Sequence, residues 1–141
     1  MTARLKGRRR ETDRLLADLT SWATAHDVHA AAVVGSYARG AERMASDVDV
    51  MLLLDDPDSL PSSSSWFRQL RHRARLVRVA RWGPVREQRY RLSSGLLVEI
   101  DLAPVSWADV PLDGGTRRVL GDGHRILHDP HGTLAQAAGA L

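Results

Sequence analysis

Two apolar segments frame a Gly-Ser pair and an Asp-Val-Asp triplet, and their spacing limits what this chain can fold into. The first segment ends at Val34 and runs directly into Gly35-Ser36, and after ten intervening residues Asp47-Val48-Asp49 opens the second segment. Short apolar runs bounded by turn residues are typical of buried strands. The pattern predicts strands over residues 28–34 and 48–54, joined by a tight turn and a short helix.

Asp47 and Asp49 are spaced as two ligands on one face of the second strand. Because side chains alternate along a strand, their carboxylates would point the same way, about 7 Å apart. Like charges this close raise the pKa of one carboxyl and oppose folding, so the pair suggests a bound cation. Mg²⁺ is held by one or two carboxylates plus phosphate oxygens, and two ions together stabilise a phosphoryl displacement. We therefore interpret Asp47 and Asp49 as metal ligands.

The turn at Gly35-Ser36 has the residue types of a phosphate-binding site. Glycine lets the backbone approach a phosphate closely, and the start of a helix presents unpaired N–H groups to an anion. Ser36 is a good helix cap and its hydroxyl can donate to a phosphate oxygen. Arg39 follows one turn later and can reach the same phosphates. We predict that Gly35, Ser36 and Arg39 bind nucleotide.

A third acidic residue is expected from the segment at residues 96–102. Alternation along this predicted strand places Glu99 and Asp101 on one face together with Leu97, and Val98, Ile100 and Leu102 on the other. Either carboxylate can complete a metal site with Asp47 and Asp49. We favour Asp101, with Glu99 as the alternative.

Taken together, these motifs resemble the DNA polymerase beta-type nucleotidyltransferase superfamily, and in it the minimal nucleotidyltransferase group. The resemblance rests on Gly35-Ser36-Tyr37-Ala38-Arg39-Gly40, on Ser46-Asp47-Val48-Asp49 and on Glu99-Ile100-Asp101-Leu102. It implies an α/β (α+β) fold with a mixed, mostly antiparallel sheet flanked by helices. It also implies two Mg²⁺ ions at Asp47, Asp49 and Asp101, and transfer of a nucleoside monophosphate, AMP from ATP, to an acceptor hydroxyl. In such enzymes the Gly-Ser turn holds the triphosphate, and the third acid activates the acceptor.

The same resemblance suggests several acceptors and partners. Members of the minimal group act on a protein partner, often a toxin with a HEPN-type helical domain, or on the 3′ end of an RNA. The chain would then be an enzyme of a toxin–antitoxin pair. The alternative is a non-catalytic nucleotidyltransferase-like module that controls a partner protein by contact alone.

Composition narrows the remaining function classes. The 141 residues include no cysteine, which excludes disulfides, thiolate metal sites and cysteine nucleophiles. No apolar run has the length of a membrane span and none at the start resembles a signal peptide, so we expect a cytoplasmic protein without membrane contact. Lys6 is the sole lysine, and the sequence pI near 10.1 reflects arginines scattered along the chain. They are expected mainly on solvated faces.

We expect one nucleotidyltransferase-like domain over residues 1–141. Its motif core would cover about 28–102, after a basic helix over about 8–25 and before an extension over about 103–141. A loop is predicted at 55–65 with a short helix near Ser65, and a three-strand meander at 75–82, 85–92 and 96–102. The extension is predicted to hold a helix at 116–120, a strand at 124–128 and a helix at 134–141. Its histidines are interpreted as turn residues rather than zinc ligands.

Overall fold

The computed structural model describes residues 2–60 and 65–141, in which six strands form one sheet and four helices pack on it. The strands are β1 (Ala30–Val34), β2 (Val48–Leu54), β3 (Arg75–Trp82), β4 (Val85–Arg91), β5 (Leu97–Pro104) and β6 (His124–His128). The helices are α1 (Ala3–Ala25), α2 (Ser36–Arg39), α3 (Gly114–Gly121) and α4 (Thr133–Gly139). Among these described helices, none combines the length and the apolar character needed to cross a bilayer.

The sheet is mixed and mostly antiparallel, which confirms the predicted fold class. Its strand order is β3-β4-β5-β2-β1-β6. Only the central pair, β2 and β5, runs parallel, and every other neighbouring pair among the described strands is antiparallel. The parallel pair places the two acidic motifs of the sequence, Asp47-Val48-Asp49 and Glu99-Ile100-Asp101, side by side.

The predicted element boundaries hold to within a few residues except at the first helix. That helix begins at Ala3, five residues before the predicted start, because the Thr2 side chain accepts a hydrogen bond from the Leu5 amide and caps it. The predicted helix near Ser65 is a single 3₁₀ turn at Phe67–Gln69. The loop predicted over 55–65 contains a 3₁₀ turn at Pro57–Ser59, and its residues 61–64 lie outside the described part.

Two apolar layers cover the two faces of the sheet. On one face α1 packs Leu15, Leu19 and Trp22 against residues of the central strands. On the other face α3 and α4 contribute Leu120 and Leu134, which cluster with the β2 and β5 side chains at the far end of those strands. Burial of these aliphatic side chains against one another is the largest favourable contribution to the free energy of folding. The beginnings of β2 and β5 carry polar side chains on this second face.

A tight turn fixes how β4 and β5 align. The Leu92 amide donates to the Leu96 carbonyl at 2.8 Å, and Gly95 at the tip has φ +90. Positive φ suits glycine because it has no Cβ. The turn sets the register in which Arg91 opposes Leu97 and Glu87 opposes Asp101.

Candidate active site

One face of the sheet carries charged side chains where β2, β5 and β4 lie side by side. Asp49 on β2 pairs with Glu99 on β5, and Glu99 pairs in turn with Arg89 on β4. Two residues further along β5, Asp101 pairs with Glu87. Because paired residues point to the same side of a sheet and side chains alternate along each strand, all five project from one face.

The Gly-Ser turn lies directly against the first of these carboxylates. Gly35 has φ +74 and ψ −150, a conformation that essentially only glycine adopts. A Cβ at this position would lie 2.6 Å from Oδ2 of Asp49. The residue before the turn, Val34, pairs with Asp49 in the β1–β2 ladder. The ladder therefore holds the turn and the carboxylate together.

The turn is braced from behind by the chain that connects α3 to β6. The Gly35 amide donates to the Gly123 carbonyl at 3.3 Å, and Nη1 of Arg39 donates to the Asp122 carbonyl at 2.8 Å. A Cβ on Gly123 would lie 2.5 Å from Cγ of Arg39, so the arginine stem passes over this glycine. The guanidinium is thereby held beside the turn, with further N–H groups that can serve an anion.

The turn and the acids border one cleft of about 200 Å³. Its lining consists of Val34, Gly35, Arg39, Asp49, Trp82, Glu99, Asp101, Val119 and Asp122. Within the described part of the chain, this lining includes neither Ser36 nor Asp47. The cleft thus combines carboxylates and a guanidinium with two apolar walls, Trp82 and Val119.

Asp47 precedes β2 and is linked to the acidic face through an arginine. Nη2 of Arg89 lies 3.5 Å from Oδ2 of Asp47 and 3.0 Å from Oε1 of Glu99. The hydrogen bond to Glu99 is the main cause that raises the Arg89 pKa above its ordinary value, so the guanidinium stays charged. The Arg89 guanidinium therefore bridges two carboxylates, one before β2 and one on β5.

Burial and mutual repulsion raise the pKa values of the carboxyl groups on this face, so that they do not all ionise together. Burial raises the pKa of Asp49 to about 7, and the charges of Glu99 and Asp47 add to the effect. Burial likewise raises the pKa of Asp101 to about 9, helped by the charge and hydrogen bond of Glu99. The pKa of Glu87 is also raised, first by burial and then by Glu99. Perturbed carboxyl groups in a cleft are characteristic of functional sites.

The donor set fits a hard divalent cation. Asp101 is 3% exposed, and its Oδ1 is buried without a hydrogen-bond partner among the described residues. One oxygen each from Glu87, Glu99 and Asp101 lies within 4.8 Å of the others. Carboxylate oxygens are the preferred protein ligands of Mg²⁺ and Mn²⁺, and a bound cation would remove the repulsion among these groups.

The cleft brings together most of the site residues expected from the sequence. Gly35, Arg39, Asp49 and Asp101 line it, and so does Glu99, the alternative third acid. The two candidate third acids differ in their surroundings, because Glu99 is paired with Arg89 whereas Asp101 has an unpartnered buried oxygen within the described structure. Asp47 contacts Arg89, and Ser36 begins the short helix α2 behind the turn.

Sequence reasoning did not assign Glu87, Trp82 or Asp122 to the site. Glu87 could have been found, because the turn at Ser93-Ser94-Gly95 fixes the register that puts it opposite Asp101. Arg89 forms an ion pair with Glu99 across β4 and β5, and Arg78 on β3 lies 3.3 Å from Glu87. No local signal marks Trp82 and Asp122, which reach the cleft through tertiary packing.

Comparison with known families agrees with this geometry. Residues 19–111, about two thirds of the chain, match the model of the family described as nucleotidyltransferase domain. The matched segment contains the Gly-Ser turn, both acidic motifs and all of β1 to β5. No curated protein matches the chain significantly.

Proposed function

The chain belongs to the nucleotidyltransferase domain family, and from this premise we propose that it transfers AMP from ATP to a hydroxyl group of a protein or RNA acceptor. The observation that carries the proposal is the contact between Gly35 and Asp49 in a cleft that also contains Asp101. It puts the Gly-Ser turn and two acids around one small volume, and this supports phosphoryl transfer, which requires phosphate-binding groups and acids close together.

The nucleotide would lie across the cleft from the turn to the apolar walls. The triphosphate would bind at Gly35-Ser36. Backbone N–H groups of the first turn of α2 lie there, and the Arg39 guanidinium is anchored close by. The nucleoside would pack on Trp82 and Val119, since aromatic and aliphatic surfaces suit the faces of a base. An open cleft of this kind leaves room for the acceptor on the same face.

Divalent ions would be held by Asp47, Asp49 and Asp101, with Glu99 as the alternative to Asp101. Mg²⁺ bound there supplies positive charge to the phosphates and lowers the energy of the charged transition state. Without such an ion, burial keeps the Asp49 and Asp101 pKa values high. These acids are therefore suited to binding a cation rather than to stabilising the fold alone.

The reaction would be an in-line displacement at the α-phosphorus. The acceptor hydroxyl oxygen forms a bond to the α-phosphorus while the bond to the bridging oxygen of the β-phosphate breaks, and pyrophosphate leaves. Asp101 orients the hydroxyl or accepts its proton once the bound ion holds the carboxyl in its ionised form. The turn and Arg39 hold the departing pyrophosphate, so most of the acceleration comes from positioning and charge stabilisation.

Transfer of label distinguishes this reaction from others that use ATP. The protein is incubated with Mg²⁺ and ATP labelled at the α- or the γ-phosphate, together with RNA and the protein encoded next to it. Nucleotidyl transfer labels the acceptor from the α-phosphate only. Asp49→Asn and Asp101→Asn should each lower the rate at least about 100-fold, because each removes a charge that acts in the transition state.

Asp55→Asn is the matched control for these variants. Its carboxylate is 89% exposed and follows the far end of β2, so removing its charge should leave the rate unchanged. If Asp49→Asn transfers label as fast as the wild type, the enzymatic proposal is wrong.

A second candidate function is control of a partner protein by contact alone. One observation favours it: the edge strand β3 exposes the apolar side chains of Val77 and Val79, 45% and 48% accessible. Edge strands with exposed apolar residues are common protein contact surfaces. This candidate requires that Asp49→Asn still binds and neutralises the partner, which the resemblance to minimal nucleotidyltransferases suggests is a HEPN-type toxin. A partner that escapes control when only Asp49 is changed would contradict it.

A further inference from the structure

Glu87 extends the acidic face by one strand beyond the acids expected from the sequence. It lies on β4 opposite Asp101 and is 8% exposed. Its carboxylate, with those of Glu99 and Asp101, offers oxygens that all lie within 4.8 Å of one another. Two ligands on opposite sides of one ion are separated by about 4 to 5 Å, twice the metal–oxygen distance for Mg²⁺ through Ca²⁺. The three groups therefore have the spacing of a single coordination sphere.

Across residues 2–60 and 65–141, the arginines near this cluster pair with Glu87 and Glu99, but not with Asp101, which is the most buried of the three acids. Arg78 lies beside Glu87, and Arg89 lies beside Glu99. Among the described residues, no basic side chain forms an ion pair with Asp101. That carboxylate is 3% exposed, and its Oδ1 is buried without a hydrogen-bond partner in the described structure. A buried carboxylate oxygen without a partner is costly, and a cation at the cluster would satisfy it.

We propose that Glu87, Glu99 and Asp101 together bind one divalent cation, of the hard class represented by Mg²⁺ and Mn²⁺. Glu87 is then a metal ligand in addition to the acids predicted from the sequence. The ion would lie over β4 and β5, whereas the Gly35 turn follows β1, with β2 between them. Because neighbouring strands are about 4.8 Å apart, this position is on the side of the cleft away from the triphosphate turn.

The role of this ion depends on the proposed function, but its binding does not. In a nucleotidyl transfer the ion's place is on the acceptor side, where its charge would lower the pKa of an acceptor hydroxyl. Asp101 would connect the two sides of the site, since it borders the cleft and also belongs to the cluster. Binding can therefore be measured without ATP or an acceptor.

The experiment uses Mn²⁺ alone with the full chain. Crystals soaked in Mn²⁺ without nucleotide should show an anomalous peak within coordination distance of the Glu87, Glu99 and Asp101 carboxylates. In solution, paramagnetic resonance of free Mn²⁺ gives the Kd, which Glu87→Gln should raise at least tenfold. Asp55→Asn, which removes an exposed carboxylate at the other end of β2, should leave the Kd unchanged.

The alternative account of the cluster is that its carboxyl groups share protons and bind no ion. A Kd for Glu87→Gln equal to that of the wild type would overturn the proposal. An anomalous peak at Asp47 and Asp49 with none at Glu87 would overturn it equally. The soaked wild-type crystal gives an answer even if Glu87→Gln does not fold, which circular dichroism would reveal.

The outcome is separable from that of the label-transfer experiment. Mn²⁺ bound at Glu87 in a protein that transfers no label would support the cation site and contradict the enzymatic proposal. Label transfer by a protein with no ion at Glu87 would support the enzymatic proposal and contradict the cation site.

Discussion

Gly35 and Asp49 are in such close contact that residue 35 has no room for a side chain. A Cβ there would lie 2.6 Å from the Asp49 carboxylate, well inside the normal contact distance. The two residues are held together because Val34 and Asp49 pair in the β1–β2 ladder. The glycine of the turn is thus required both by its backbone angles and by the position of an acid fourteen residues later in the sequence.

Gly35→Ala should therefore damage the site as well as the fold. We expect a loss of about 3 kcal/mol in the free energy of unfolding, since alanine is strained at φ +74 and its methyl group displaces Asp49. Nucleotidyl transfer should fall at least about 100-fold, as in Asp49→Asn. Chemical denaturation and the label-transfer rate measure the two effects separately.

Gly40→Ala is the matched control for the contact. Gly40 also has positive φ, +70, but no atom lies within 4 Å of the position its Cβ would take. Its cost should be only that of left-handed backbone, about 1 kcal/mol, with the transfer rate nearly unchanged. Equal losses of activity in the two variants would mean that contact with Asp49 is unimportant.

The local elements of this site could be predicted from the sequence. The strands predicted over 48–54 and 124–128 have the same bounds in the structure, because apolar runs and turn residues mark their ends. The register of β4 against β5 could also have been derived, since the short turn at Gly95 fixes it. Applying that register would have identified Glu87 as the residue opposite Asp101.

The non-local relationships could not be predicted in this way. Asp49 and Glu99 are paired across two parallel strands that are fifty residues apart, and no turn sets their register. The choice between Glu99 and Asp101 also depends on Arg89, whose side chain pairs with Glu99. Trp82 reaches the cleft only because the edge strand β3 ends beside it. Such positions follow from tertiary packing, which periodicity in a single sequence does not report.

Arg39→Ala should weaken ATP binding about tenfold. The guanidinium is anchored by the Asp122 carbonyl at 2.8 Å and lines the cleft beside Gly35, so its removal costs one charge-assisted phosphate contact. Isothermal titration with Mg²⁺ and a non-hydrolysable ATP analogue gives the Kd. Arg43→Ala removes an exposed arginine four residues later and should change the Kd less than twofold. A similar weakening in both variants would indicate a general charge effect rather than a specific contact.

Trp82 should contribute to binding of the nucleoside and not of the phosphates. This residue is 36% exposed, and it forms one wall of the cleft. Stacking of a base on an aromatic side chain is worth about 1–3 kcal/mol, so Trp82→Ala should raise the Kd for the ATP analogue about 5- to 150-fold. Trp82→Phe should retain most of the affinity.

Inorganic tripolyphosphate is the control ligand for the Trp82 variants. It carries the phosphate chain without a base, and it should bind wild type and Trp82→Ala with the same Kd. If Trp82→Ala weakens both ligands equally, the ring supports the architecture of the cleft and does not contact the base.

The stability of the protein should depend on pH through Asp49 and Asp101. Both pKa values are raised in the folded protein, to about 7 and about 9, above the ordinary value for an aspartate. A raised carboxyl pKa favours the protonated form in the folded state, so its contribution to stability is complete below about pH 4 and is lost as pH rises. In a chelator, the free energy of unfolding should therefore decline between about pH 4 and pH 9. The loss due to Asp49 is on the order of 2–4 kcal/mol and occurs mainly below pH 7.

Millimolar Mg²⁺ or Mn²⁺ should reverse this loss. A cation stabilises the ionised carboxylates, so it should raise the melting temperature more at pH 8 than at pH 5, where protons compete for the same oxygens. Asp49→Asn does not titrate, and the difference between its melting curve and that of the wild type isolates this residue from all other groups. If that difference is constant from pH 4 to pH 9, the Asp49 carboxyl has an ordinary pKa in the folded protein. The Asp49 carboxylate would then be solvated rather than buried, and its pKa would no longer be a reason to expect a bound cation.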